Sequence, residues 1–194
     1  KSLERLASGK KIIRASDDAT GMAMSMSLES QTRGLIKQIG SSQNEISMLQ
    51  TADGALGSIG EQLQRLNEIA IQASNGTLTD ADRANMQLEV DQLVAQIDQT
   101  AGSTVFNGQN PLDGSLQLKL QGGETFAQPA VSSASLGIGA MSVATTQAAS
   151  NAIAQVAHAL NGLSSQRGSL GAAVNAVSGQ VASLQNELVN VTAA

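Results

Sequence analysis

From Ile153 to Leu188 the chain reads IAQVAHALNGLSSQRGSLGAAVNAVSGQVASLQNEL, and its apolar residues recur at helical spacing. Ile153, Val156, Leu160, Leu163, Leu170, Val174, Val177, Val181, Leu184 and Leu188 stand 3, 4, 3, 7, 4, 3, 4, 3 and 4 residues apart. Such a repeat keeps one apolar stripe of a helix turned toward a partner helix. It predicts a helix from about Thr146 to Ala193, about 70 Å long at 1.5 Å per residue. A seam of this length needs a second long helix.

The first part of the chain supplies one. Leu35, Ile39, Ile46, Leu49, Leu56, Ile59, Leu63, Leu66 and Ile69 are spaced 4, 7, 3, 7, 3, 4, 3 and 3 apart. Gly34, Gly40, Gly54, Gly57 and Gly60 lie among them. Each costs roughly 1 kcal/mol against alanine inside a helix, so packing must offset them. Small residues also let a neighbouring helix approach closely. Ser16 or Asp17 is placed to cap this helix, and Asp17 and Asp18 suit the positive end of its dipole. A helix from about Asp17 to Ala73 would be a rod of about 85 Å. Ser74-Asn-Gly76 is expected to end it, because Asn and Gly tolerate the left-handed conformation. Thr79 with Asp82 then forms a short capping box. Met86, Val90, Leu93 and Ile97 continue a second helix up to Gly102, folded back antiparallel across the short loop. Before residue 17, Lys1 to Leu6 reads as a helix end stopped near Gly9, with Lys10 to Ala15 extended.

Residues 103–144 change character. Phe106-Asn-Gly108, Pro111, Asp113-Gly114 and Gly122-Gly123 are turn signals, and Leu116, Leu118 and Leu120 alternate as in a strand. One or two hairpins are expected, with Val131 to Met141 weaker in pattern. The fold class is therefore mainly α: an elongated antiparallel helical bundle of two long helices, a shorter third helix and a small β-hairpin region. Three regions follow, with 1–110 the N-terminal part of the rod, 111–145 a short region of hairpins, and 146–194 the C-terminal long helix.

Composition agrees. The 194 residues hold two Phe, no Tyr and no Trp, so burial falls to aliphatic side chains and alanine. There is no Cys, which excludes disulfides and thiolate chemistry. No apolar run approaches the roughly 20 residues of a membrane span. The net charge of −5 is uneven, because residues 1–14 carry +4 and leave −9 to the other 180. Residues 125–194 hold only Arg167 and Glu187 as formal charges, a composition suited to a surface covered by other protein.

Catalytic patterns are missing. His158 is the sole histidine and has no neighbouring acids in sequence. Asp80-Ala-Asp82 reads as helix capping before it reads as a calcium site, and adjacent Asp17 and Asp18 do not face each other on a helix. Gly137-Ile-Gly139 lacks the third glycine and the preceding strand of a phosphate loop. The basic start has no aromatics and an acidic remainder, which argues against nucleic acid. Asn75-Gly-Thr77 and Asn190-Val-Thr192 match the N-glycosylation triplet, a short pattern that arises often by accident. No cofactor or metal is expected.

Ser2-Leu-Glu-Arg-Leu-Ala-Ser-Gly9 followed by Ala15-Ser-Asp-Asp-Ala-Thr-Gly21 resembles the signature at which bacterial flagellins leave their first terminal helix. Gln50-Thr-Ala-Asp-Gly-Ala-Leu56, Leu63-Gln-Arg-Leu-Asn-Glu-Ile-Ala-Ile-Gln72, Thr104-Val-Phe-Asn-Gly108 and Gln166-Arg-Gly-Ser-Leu-Gly-Ala172 resemble later family motifs, in the family's order. The resemblance covers about 1–110 and 146–194. It implies a structural subunit of the flagellar filament, exported from the cell. In that family paired chain ends form an inner tube and the rod segments a surrounding shell. The tube-forming helices would lie outside this sequence, and the chain alone should be soluble and unable to polymerise. Residues 111–145 stand where the family inserts large outer domains.

The resemblance also implies partners. These are other flagellin subunits, an export chaperone, cap proteins and the animal Toll-like flagellin receptor. For the receptor it points to Arg65, Glu68, Ile69 and Gln72, with Glu89 on the antiparallel helix. Arg65 and Glu89 would give charge-assisted bonds and Ile69 an apolar contact, although filament packing is the primary role expected of this face. Asn67 departs from the family, standing where a basic residue is frequent. The basic segment Lys10, Lys11 and Arg14 is expected to meet acidic side chains of neighbouring subunits. Two other readings stay open: a hook–filament junction protein, which shares the paired-helix plan, and a flagellin-like surface adhesin or polysaccharide receptor. An enzyme reading fails because residues 111–145 are too short and too poor in ionisable groups.

Overall fold

A computed structural model describes residues 18–120 and 123–193. Its elements are helix α1 (Ala19–Ala73), helix α2 (Asp80–Ser103), strands β1 (Gln117–Lys119) and β2 (Thr125–Ala127), and helix α3 (Thr146–Ala193). The two long helices and the shorter third one fall where their apolar spacing predicted. The chain divides into two compact units. One is residues 45–177, and the other combines residues 1–44 with 178–194.

Within residues 45–177 each helix buries lines of side chains seven residues apart. On α1 these are Leu49, Leu56, Leu63 and Ala70, with Ala52, Ile59, Leu66 and Ala73 beside them. On α3 they are Ala149, Val156, Leu163, Leu170 and Val177, flanked by Ala152, Ala159 and Ala173. Helix α2 contributes Arg83, Val90 and Ile97. A strict seven-residue line keeps facing its partner only when helices wind gently about one another. Fully burying one leucine stabilises by roughly 1.5–3 kcal/mol.

The central lines are richer in alanine than the leucine and valine pattern implied. Ile153, Leu160 and Val174 lie half-buried at the flanks of the α3 stripe. Gly60 sits under Leu163, where an added Cβ would stand 3.4 Å from Leu163 Cδ2. Gly34, Gly40, Gly54 and Gly57 of α1 have nothing within 4 Å of such a Cβ. At Gly60 a methyl would make ordinary van der Waals contact with a flexible side chain, so close approach demands glycine at none of these five. Asp53 on α1 and Arg167 on α3 also meet, Nε to Oδ1 at 2.8 Å and Nη2 to Oδ2 at 3.2 Å. Gly60 with Leu163 and Asp53 with Arg167 show the two helices running antiparallel.

The α1–α2 turn departs from expectation. Neither Asn75 nor Gly76 has positive φ. The helix instead closes through Ser74 N donating to Ala70 O and Asn75 N to Gln72 O. Buried Arg83 reaches back with Nη1 to Asn75 O at 3.3 Å, and its cationic head suits the negative end of α1. Thr79 and Asp82 complete the expected capping box in both directions.

Residues 104–145 are held largely by side chains. Asn107 at φ 48° and Gly108 at φ 80° form a tight turn, closed by reciprocal Phe106 and Gln109 backbone bonds. Asn110 Nδ2 donates to Ala101 O and Gly102 O at the end of α2. Strands β1 and β2 pair antiparallel, Leu118 opposite Phe126, with Leu116 and Leu118 buried as their alternation predicts. Residues 131–141 form turns rather than a second hairpin. Asp98 accepts from Ser133 N and Oγ, both at 2.7 Å. Gln87 accepts from Val143 N at 2.7 Å and donates to Met141 O at 3.2 Å. Two α2 side chains thus do for this segment what a neighbouring strand would do.

In the other unit, residues 18–44 and 178–193 are described, both helical after Asp18. Asp18 is the α1 cap, its Oδ1 accepting from Thr20 N and Gly21 N at 3.1 and 2.9 Å. Ser16 and Asp17, the expected caps, and the helix end and extended stretch expected before them lie outside the described residues. Leu35 and Ser42 are buried, while Met24, Met26, Ile36 and Val189 are exposed.

Candidate functional site

Helical spacing gathers Arg65, Glu68 and Gln72 on one exposed side of α1. The antiparallel turn brings Glu89 of α2 alongside. Arg65 Nε donates to Glu89 Oε1 at 2.9 Å, Nη2 stands 2.8 Å from the same oxygen, and Nη1 donates to Glu68 Oε2 at 2.9 Å. Bonds to Glu68 and Glu89 hold the Arg65 guanidinium above its ordinary range. All three side chains remain about half exposed, so the cluster presents a fixed charge pattern rather than a stability element.

Ile69 does not join them. It is 2% exposed and belongs to the buried core, because the helical turn carries it off the exposed side that holds Glu68. The expected surface contact from Ile69 is corrected accordingly. The apolar side chains that do reach solvent nearby in sequence are Ile71, three residues beyond Glu68, and Leu88, next to Glu89.

Lys10, Lys11 and Arg14 lie outside the described residues. His158 is exposed on α3. Asp80 and Asp82 are both engaged: Asp80 pairs with Arg83 at 3.1 Å, and Asp82 Oδ2 accepts from Thr79 N and Oγ1 at 3.0 and 2.6 Å. The Thr79 hydroxyl, then the Thr79 backbone N–H, hold Asp82 below the ordinary carboxylate range. Among the described residues no three His, Cys, Asp or Glu side chains are placed to hold a metal ion, and no helix is long and apolar enough to cross a membrane.

A hollow of about 410 Å³ lies between Met48 and residues 108–118. Asp113 is the one ionisable residue lining it, and its Oδ1 already accepts from Ser115 N at 2.8 Å. No acid–base partner stands beside it among those lining residues.

The family model for the bacterial flagellin N-terminal helical region matches residues 1–117. A flagellin of Halalkalibacterium halodurans is 35% identical across the whole of this chain and 75% of its own length. The flagellar filament 31.3 kDa core protein of Treponema maltophilum is 46% identical over 59% of this chain, and the match spans 40% of that protein. The crystal structure of Bacillus cereus flagellin superimposes with a TM-score of 0.66 at 29% identity, covering 75% of this chain and 88% of that one.

Proposed function

The chain belongs to the bacterial flagellin family, and on that premise we propose that it is a structural subunit of the extracellular flagellar filament, with further copies of itself as principal partner and no enzymatic role. The observation that carries this reading is the antiparallel α1–α3 packing in residues 45–177, built on two buried seven-residue lines. Such a seam makes a stiff building block with few ionisable groups along α3. In this proposal residues 1–110 and 146–194 build the shell, and 111–145 form the short outward region. Export chaperone and cap proteins are further partners of the assembling protein. Electron microscopy of the full-length protein polymerised from filament seeds tests the function. Long filaments are expected. Growth that stops after a short cap, as for a junction protein, or protein that stays monomeric would overturn it.

Two contact sites belong to the same proposal. Lys10, Lys11 and Arg14 meet acidic groups of neighbouring subunits, and a charge-reversal series in the full-length protein should weaken filaments in a salt-dependent way. Unchanged filaments would remove that assignment. Arg65, Glu68, Gln72 and Glu89 form a face that the Toll-like flagellin receptor reads, with Ile69 fixing the helix from beneath instead of touching the partner. What supports this is the preformed ion-pair geometry of Arg65. Arg65→Ala and Glu89→Ala should each weaken receptor binding, and equal binding by both variants would discard the site.

A further inference from the structure

Three asparagines precede glycine: Asn75, Asn107 and Asn161. This pair is chemically reactive in any chain, because glycine leaves its own nitrogen unshielded toward the preceding side-chain amide. The fold treats the three differently. Asn161 lies inside α3, where helical backbone geometry directs the following nitrogen away from the side chain. Asn107 is fixed at φ 48° in a turn closed on both sides by Phe106 and Gln109. Asn75 stands exposed between α1 and α2, neither helical nor left-handed.

Its side chain is folded forward over the next peptide. Asn75 Oδ1 accepts from Thr77 N and from Thr77 Oγ1, both at 3.0 Å. Two donors on one carbonyl oxygen draw electron density from Cγ and stabilise negative charge as it develops on that oxygen. Gly76 has open space around the position where a Cβ would stand. The electrophile is polarised, the nucleophile is accessible, and the turn holds them one residue apart.

We propose that Asn75 is a self-modification site, at which the folded protein loses the side-chain amide and gains aspartate or isoaspartate. The Gly76 N–H gives its proton to solvent base, and its nitrogen forms a bond to Asn75 Cγ. The Cγ–Nδ2 bond breaks, and Nδ2 takes a proton from water and leaves as ammonia. Water then opens the five-membered imide at either carbonyl, leaving one new carboxylate. No electron is transferred. The new charge lies at the C-terminal end of α1, where the dipole disfavours it and where Arg83 already bonds the Asn75 carbonyl.

Peptide mapping by mass spectrometry after incubation at mildly alkaline pH tests this, in native protein and in urea. In urea the three sites should react at comparable rates. In native protein Asn75 should gain one mass unit while Asn107 and Asn161 stay largely amidated. Thr77→Val should slow native Asn75 about threefold, the kinetic equivalent of one exposed hydrogen bond, and leave the rate in urea unchanged. Thr77→Ser, which keeps the hydroxyl, should restore the native rate. Native Asn75 reacting no faster than Asn107 or Asn161 would overturn the proposal, as would a Thr77→Val rate equal to that of the unaltered protein.

Discussion

Residues 45–73 and 19–44 belong to one helix and carry one seven-residue register, in which Leu35, Ser42, Leu49, Leu56, Leu63 and Ala70 are all buried. Their burial otherwise diverges. From Met48 to Ala73 ten side chains are buried, whereas between Ala19 and Asn44 only Leu35 and Ser42 are. In the first stretch, contacts from both α2 and α3 cover the stripe. In the second, Met24 and Met26 stand 67% and 64% exposed. A periodic sequence chooses which face of a helix is apolar. How much of that face leaves water depends on how many partners lie against it.

Substitutions can break this contrast. Leu63→Ala removes a fully buried side chain and should cost about 2–5 kcal/mol in urea denaturation. Met24→Ala, on the same helix, should stay within about 0.5 kcal/mol. Equal costs would erase the distinction between the two stretches. Asp98→Ala leaves buried Ser133 without its acceptor and should cost about 1–3 kcal/mol. Limited proteolysis should then cut residues 131–143 before either long helix.

The Thr79–Asp82 box gives a smaller effect. Thr79→Ala should cost about 1 kcal/mol. Asp82 has its folded pKa lowered, so the stability it contributes is present above its unfolded pKa and is lost as pH falls through the folded one. Denaturation followed below about pH 4 should show this loss, and Asp82→Asn should flatten it. Arg167→Ala, at the half-exposed pair with Asp53, should cost no more than about 1 kcal/mol, and less as salt rises. A larger, salt-independent loss would move the seam's stability from apolar packing to this ion pair.

Much of the fold was legible because each helix repeats one simple period and ends at recognisable chemistry. Thr79 with Asp82 and the alternation of Leu116 and Leu118 are local signals, and local structure followed them. The alanine lines at Ala52, Ala152, Ala159 and Ala173 were not legible, because alanine is common on helix surfaces and its burial depends on what packs opposite. Residues 131–143 were hidden for a related reason: Asp98 and Gln87, about 35 to 56 positions away in sequence, hold them. The antiparallel turn that sets Glu89 beside α1 was legible, but the bonds of Arg65 to Glu68 and Glu89 were not, because spacing does not say which polar groups on a face bond one another. The placing of Ile69 was not legible either, since one residue of rotation, from Glu68 to Ile69, separates the exposed face from the buried one.

Native-state hydrogen exchange across a urea series tests the central claim, that residues 45–73 and 146–177 stand or fall as one seam. Amides of Leu56, Leu63, Val156 and Leu163 should share one opening free energy and one urea dependence, equal to those of global unfolding. Distinct free energies for the two helices, each opening without the other, would contradict the account.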